Sequence, residues 1–501
     1  MTDMPILSLL IWVPILTATS LLLLQKNQKI CFNIANLSSL VSLFFGYLLI
    51  SNFNTASANF QLVEKLAWIK SFNASYYLGV DGITMPLILL TIIIHALLVF
   101  MTKQMESKNC VQYIAIFLLL QGITIGVFSS LDSLLFYFFW EAMLIPMYLC
   151  IGIWGGDARN YASMKFFLYT FFGSALLLIA IIYLGINAGD FSILALINLP
   201  LSLSVQKLLF IGFFMAFAVK VPMWPLHTWL PDAHTEAPAA GSVVLAALML
   251  KVGAYGFFRF CLPVLPDASK FFAPLIIAIS LIAIVYIGLV ALVQKDMKRL
   301  IAYSSVAHMG FVTLGCFAVY SIVEKSSIQY AQLALEGSLM QMVAHGFGSG
   351  AMFLAFGLLY KRYHTRLIAE FGGVAKAMPV FAACFMIFAL TNVGLPGTAG
   401  FVGEFTVILS VFQANTLVAF FAGMTLIIGA AYTLSMFRKV FYGAPSAGVA
   451  SLTDINVQEK VGLLFLVLCI FLTGLIPEIV LQPTHASVAK LAKQAMVSKL
   501  V

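Results

Sequence analysis

Long apolar runs alternate with short polar connections along almost the whole chain. A membrane-spanning helix needs ~20 mostly apolar residues. On that criterion about fourteen spans are predicted, at 5–24, 30–50, 83–101, 111–128, 131–153, 162–184, 208–230, 237–258, 271–293, 300–320, 331–360, 378–412, 417–440 and 461–480. Backbone polar groups in lipid must be paired within the spanning element, and these runs are too long and too continuously apolar for barrel strands. The expected fold is therefore an all-α polytopic membrane protein. The first run lacks a basic leader region and a small-residue cleavage site, so it is expected to be a retained helix.

Two runs depart from the simple pattern. Residues 378–412 as one straight helix would measure about 52 Å against a hydrocarbon core of ~30 Å, and they contain GLPG at 394–397. Residues 208–230 contain Pro222 and Pro225, with Pro231 just beyond. Proline breaks the helical hydrogen-bond ladder, so the seventh and twelfth spans are predicted to be broken. Interrupted spans at matching positions mark internal repeats in transporters. Spans 4–8 and 9–13 are accordingly read as two inverted five-helix repeats. The expected organisation is residues 1–110 with the first three helices and an outer-face loop, 111–259 and 260–441 as the repeats, and 442–501 as the last helix and a surface tail. The stretch 51–81 is read as a small hairpin or an amphipathic segment. The tail after Pro483 is read as a basic amphipathic helix.

Composition narrows the function. At 62% hydrophobic and 9% charged, the chain is neither a soluble globular domain nor a solvated tail. Its net charge of +8 comes from Lys and Arg scattered in ones to threes, which marks topology rather than nucleic-acid binding. The odd-numbered connections, with Lys26, Lys103 and Lys108 among their basic residues, hold sixteen Lys and Arg against nine in the even connections and tail. That places the odd connections in the cytoplasm and both termini outside. Seven cysteines without a CxxC pair speak against a disulfide framework, a zinc site or a cluster ligand set. Neither a dinucleotide fingerprint nor a P-loop is present, so no cofactor is expected in this chain and it has no visible energy source.

The chemistry lies in charges placed inside apolar runs. Glu141, Lys220, Lys251 and Glu404 each sit within a predicted span, where an ionisable group costs on the order of 2.5–3.5 kcal/mol. Structural ion pairs gain little over apolar packing, whereas intramembrane charges commonly mark ion pathways. A desolvated lysine can alternate between ammonium and amine, which arginine cannot. A Glu141–Lys220 pair that closes and opens would then load and release one proton. Lys251, His308 and His345 suit a proton relay, histidine having an unperturbed pKa of about 6.5. Glu404, beyond the second break, is expected to end the path toward the outside. His227 and His234 flank the short seventh connection and are secondary candidates. Asp132 is a further secondary candidate, whose commonplace role would be to cap its helix, and His95, alone on an apolar run, is expected to pack.

The segments KVPMWPLHTWLPDAHTEAP around Lys220, QKDMKRLIAYSSVAHMG around His308 and QMVAHG at His345 carry a resemblance that covers nearly the whole chain. It resembles the antiporter-like membrane subunits of proton-pumping NADH–quinone oxidoreductase, respiratory complex I. The resemblance implies that Glu141, Lys220, Lys251, His308, His345 and Glu404 form a proton path. Glutamate rather than lysine at position 404, with about 500 residues and no long C-terminal arm, is similar to one of the three paralogous subunits. The implied partners are the other membrane and peripheral subunits of the complex, within the lipid bilayer of a bacterial inner membrane. NADH, FMN, iron–sulfur clusters and quinone would belong to those partners. The rival readings are a subunit of a Na⁺/H⁺ antiporter of the Mrp type, a quinone-binding redox subunit, and a scaffold.

Overall fold

Each apolar run becomes a helix because that is the only local structure that pairs every backbone group inside the segment. The computed structural model describes residues 4–24, 27–105 and 109–500, without the side chains of 103–105 and 447. Lys26 and Lys108 and the side chain of Lys103, counted above for orientation, lie outside the described residues. Among the described residues thirteen helices are long and apolar enough to cross a membrane, and two shorter apolar helices make one further crossing.

In chain order the crossings are α1 (Ile6–Leu23), α2 (Gln28–Asn52), α3 (Met85–Met105), α4 (Cys110–Ser129), α5 (Ser133–Trp154), α6 (Arg159–Ala188) and α7a (Leu203–Lys220), which continues after a break as the short α7b (Trp229–Glu236). They continue with α8 (Ala239–Val264), α9 (Pro266–Leu292), α10 (Met297–Lys325) and α11 (Ile328–Tyr363). The broken crossing is α12a (Pro379–Val393) and α12b (Ala399–Phe412), followed by α13 (Thr416–Phe441) and α14 (Val457–Leu475). Helices α4, α8, α10 and α11 are the most deeply buried, while α1, α2, α6, α9, α13 and α14 leave broad apolar faces exposed.

Both expected breaks are present. The first falls directly after Lys220, and its loose backbone is partly re-satisfied where Trp229 Nε1 donates to the Val219 carbonyl at 2.8 Å. The second runs through Gly394 and Gly397 at φ +78° and +90°, left-handed values that favour glycine. Two π-helical turns, Leu245–Met249 and Phe257–Cys261, interrupt α8, and such bulges release carbonyls from the regular ladder.

The stretch before α3 forms a two-stranded antiparallel hairpin, β1 (Gln61–Ile69) and β2 (Ala74–Val80). The tail forms α15 (Glu478–Ala495), which starts before Pro483 and buries Val480, Pro483, Val488 and Leu491. Gly82 permits the close approach here: a Cβ on it would sit 2.0 Å from the Pro483 carbonyl oxygen, and its amide donates to Ser487 Oγ at 2.9 Å.

Two basic residues read as loop markers are buried instead. Arg259 lies inside α8, which runs six residues beyond the predicted span, and pairs with Asp81 at 2.7 Å. Lys298 lies in the first turn of α10, donating to the Ala237 carbonyl at the end of α7b.

Candidate functional site

The site is a row of polar side chains through the middle of the bundle. Lys220 is the last residue of α7a and is almost wholly buried, with no hydrogen-bond partner for its Nζ among the described residues. The ammonium instead lies over the Trp140 ring, 4.7 Å from its centroid, a contact worth roughly 2 kcal/mol when desolvated. Gly253 of α8 makes room for this break. A Cβ there would lie 2.8 Å from Lys220 Cβ and 2.9 Å from the Val221 amide nitrogen.

Lys251 is fully buried on α8. Its Nζ donates to the Ala246 carbonyl at 2.5 Å, an i−5 contact made available by the π-turn, and meets His345 Nδ1 of α11 at 2.6 Å. A donating lysine makes Nδ1 the acceptor, leaving the proton on His345 Nε2, which has no partner among the described residues.

The His345 and His308 rings are 5.8 Å apart between centroids. A cavity of about 10 Å³ lies between them, lined also by Gln341, Ser349 and Asn392. That is room for one water. His308 of α10 faces Glu404 Oε1 of α12b through Nδ1 at 2.6 Å and Asn392 Oδ1 of α12a through Nε2 at 3.0 Å. With acceptors on both nitrogens, the arrangement suits an imidazolium beside a carboxylate. Gln341 donates a further bond to Glu404 Oε1 at 3.0 Å, and Asn392 donates to Thr433 at 2.9 Å. The α12 break thus sets Asn392 and Glu404 on either side of one histidine.

Glu141 does not join this interior row directly. It is only half-buried, on the outer surface of the bundle between the exposed side chains of Phe138 and Ile145. Its carboxylate bonds Tyr137, and Oε1 has no partner among the described residues. Glu141 and Lys220 are within electrostatic reach of each other but form no ion pair within 4 Å among the described residues.

The secondary candidates also have places. His234 stacks flat on Phe353 at 4.5 Å and lies within electrostatic reach of both Lys251 and Lys298. His227 is buried near Tyr303. Asp132 caps α5 through the Leu134 and Leu135 amides, and His95 bonds the Thr91 carbonyl one turn back. Lys298, Gln341 and Asn392 are site neighbours that sequence reasoning missed. The glutamine and asparagine inside apolar runs were the available signal.

Residues 130–429 match the family model described as NADH:quinone oxidoreductase/Mrp antiporter, TM. The chain belongs to this family. Subunit M of the NADH-quinone oxidoreductase of Rhodobacter capsulatus is 44% identical over 507 residues, covering 97% of this chain and 96% of that one. Subunit M of Rickettsia prowazekii is 40% identical over 500 residues, covering 98% and 99%. Within the family the chain therefore groups with subunit M, the paralogue that the glutamate at 404 indicated. Among solved structures, respiratory complex I from Thermus thermophilus with bound NADH contains a chain that superposes with a TM-score of 0.85 at 31% identity, over 98% of this chain and 100% of that one. A chain of the Mrp complex from Dietzia sp. superposes at 0.86, over 99% and 100%, but at 18% identity. That second likeness concerns the fold alone. The family membership and the apolar helices make this a multi-pass membrane protein.

Proposed function

We propose that the chain is the proton-translocating subunit M of an NADH:quinone oxidoreductase, carrying protons along Glu141, Lys220, Lys251, His345, His308 and Glu404. The observation that carries the reading is the pairing of Lys251 with His345 and of His308 with Glu404, each at 2.6 Å, across a gap the size of one water. Four side chains from four helices, each able to hold or give up a proton, then form a nearly continuous relay. Glu141 and Lys220 form its switch, open in this arrangement. Glu141 is half-buried at the edge of the bundle and one of its carboxylate oxygens has no partner among the described residues; lipid cannot supply one, so a neighbouring subunit is the natural cover for Glu141.

Moving one charge against 100 mV costs ~2.3 kcal/mol, and nothing in the sequence supplies it. NADH, FMN, the iron–sulfur clusters and quinone are accordingly assigned to partner subunits. The basic residues favour a bacterial inner membrane location with both termini outside. The helices are read as two inverted repeats, 111–259 and 260–441, flanked by 1–110 and 442–501.

The test is Lys220→Ala and Glu141→Ala, separately, in the intact assembly, with proton pumping and quinone reduction measured together in sealed vesicles. Pumping is expected to fall to a small fraction of the parent value in both. Normal pumping and normal quinone reduction in both variants would sink the proposal.

A further inference from the structure

A groove of about 710 Å³ runs between α6 and α7a on the outside of the bundle, a size within the usual range of small-molecule sites. Leu168, Phe172, Met215, Val219 and Leu226 line it, and no carboxylate does. Gly173 forms part of the floor. A Cβ there would lie 3.2 Å from the Met215 carbonyl oxygen, so the two helices meet backbone to backbone beneath the slot.

One end of the groove is cationic. Lys165 lines it and bonds Asp232 at 2.6 Å, while Arg299 reaches the other oxygen of Asp232 at 3.3 Å. One carboxylate shared between two cations leaves one positive charge uncompensated. The Arg299 side chain is 40% exposed, and its Nε has no partner among the described residues. Tyr161 and Tyr169 stand at the same end, the first under the Lys165 ammonium and the second bonded to Thr228. Tyrosine with Lys or Arg is the usual composition of the headgroup level, and surplus basic charge there favours anionic lipid. From Lys165 past Tyr169 to Gly173 the slot descends about 12 Å along α6, and beyond Tyr169 the side chains that line it are apolar.

The geometry points to a binding site for an anionic phospholipid, with its headgroup phosphate at Arg299 and Lys165 and an acyl chain in the α6–α7a groove. This assignment does not depend on the proton path. Its charge pattern, cationic at the rim and apolar below, matches a lipid with an acidic headgroup and an apolar tail.

The probe is photoactivatable phosphatidylglycerol, compared with phosphatidylcholine of the same acyl chains, added to the intact purified complex and followed by peptide mapping. Phosphatidylglycerol is expected to label peptides of α6 and α7a several-fold more than phosphatidylcholine. Arg299→Gln, which leaves the Lys165–Asp232 pair in place, is expected to lower that labelling about five-fold. Leu168→Trp, filling the slot from an exposed position, is expected to lower labelling by both lipids. Equal labelling by the two lipids, or no response to either variant, overturns the site. So does a helix of a neighbouring subunit occupying the groove in a structure of the assembled complex.

Discussion

Asp81→Asn removes a charge from a buried pair while keeping the rest of the local structure. The two side chains are 5% and 7% exposed, and the Arg259–Asp81 bond is 2.7 Å. Asp81 Oδ1 accepts from the Ile83 and Thr84 amides at 3.1 Å each, a cap that asparagine preserves. Among the described residues Arg259 then keeps the Tyr255 hydroxyl, at 3.1 Å, and the faces of Phe60 and Tyr255. Stripping the partner from a buried charge costs about 3–5 kcal/mol, since guanidinium cannot shed its proton. Arg259→Met leaves Asp81 with its backbone donors, so its cost is expected to be about 1–3 kcal/mol. The double variant is expected to cost less than the sum. Because Gly82 bonds Ser487 of α15, the loss should show as local opening where the hairpin, α3 and α15 meet. Hydrogen exchange of the Gly82–Thr84 amides in the intact complex reads it. About 10²-fold or greater faster exchange is expected in Asp81→Asn, and a smaller change in Arg259→Met. If Arg259→Met proves the more damaging, or the two effects simply add, the ion-pair reasoning is wrong.

His485 of α15 gives a pH-dependent test outside the spans. Burial alone would lower its pKa, but hydrogen bonds to Glu336 and Glu478 outweigh that and raise it above 6.5. A group with a raised folded pKa stabilises fully below its unfolded value, and the contribution is lost as pH rises through the folded value. Exchange protection of α15 is therefore expected to weaken as pH is raised above about 6.5 and to lose that pH dependence in His485→Gln; a pH response unchanged by the substitution counts against the assignment. Gly253→Ala would press a Cβ against the backbone at the α7a break, and overpacking of this kind costs about 1–3 kcal/mol. Reduced pumping with the subunit still assembled is expected, and parent-like pumping in vesicles would show that the break tolerates displacement.

Much of this was legible before the structure, for definite reasons. Length and hydropathy gave the spans because lipid imposes one solution on the backbone. The breaks were legible because proline and GLPG cannot continue a helix. Side-chain orientation was not, since a helix apolar all round gives no periodic signal to separate its core face from its lipid face. Glu141 therefore read as interior although it stands half-exposed. Lys298 and Arg259 read as connection residues because apolar windows stop short of helix ends. The helices run on, and their partners, the Ala237 carbonyl and Asp81, come from distant parts of the chain. The Lys251 contact with Ala246 depends on a π-turn that no spacing of residue types announces.

The two ends of the proposed path differ in how well they are satisfied, and that difference suggests where work enters. At one end Glu404 has two hydrogen-bond donors, His308 has an acceptor on each ring nitrogen and Asn392 donates to Thr433, so the atom left without a partner among these described groups is a neutral one, Gln341 Oε1. At the other, among the described residues Lys220 Nζ has no hydrogen bond and Glu141 has a buried oxygen without a partner. Buried polar groups in that condition cost about 1–3 kcal/mol each and more when charged. Closing the Glu141–Lys220 pair, or covering Glu141 with a cation from a neighbouring subunit, would each relieve part of that cost, and the two compete for the same carboxylate. A neighbour that draws Glu141 outward leaves Lys220 without its counter-charge and favours passing its proton to Lys251. In the proposed reading the chain needs no energy source of its own, because Glu141, the counter-charge of the unbonded Lys220, stands at the edge of the bundle where a driven subunit can act on it.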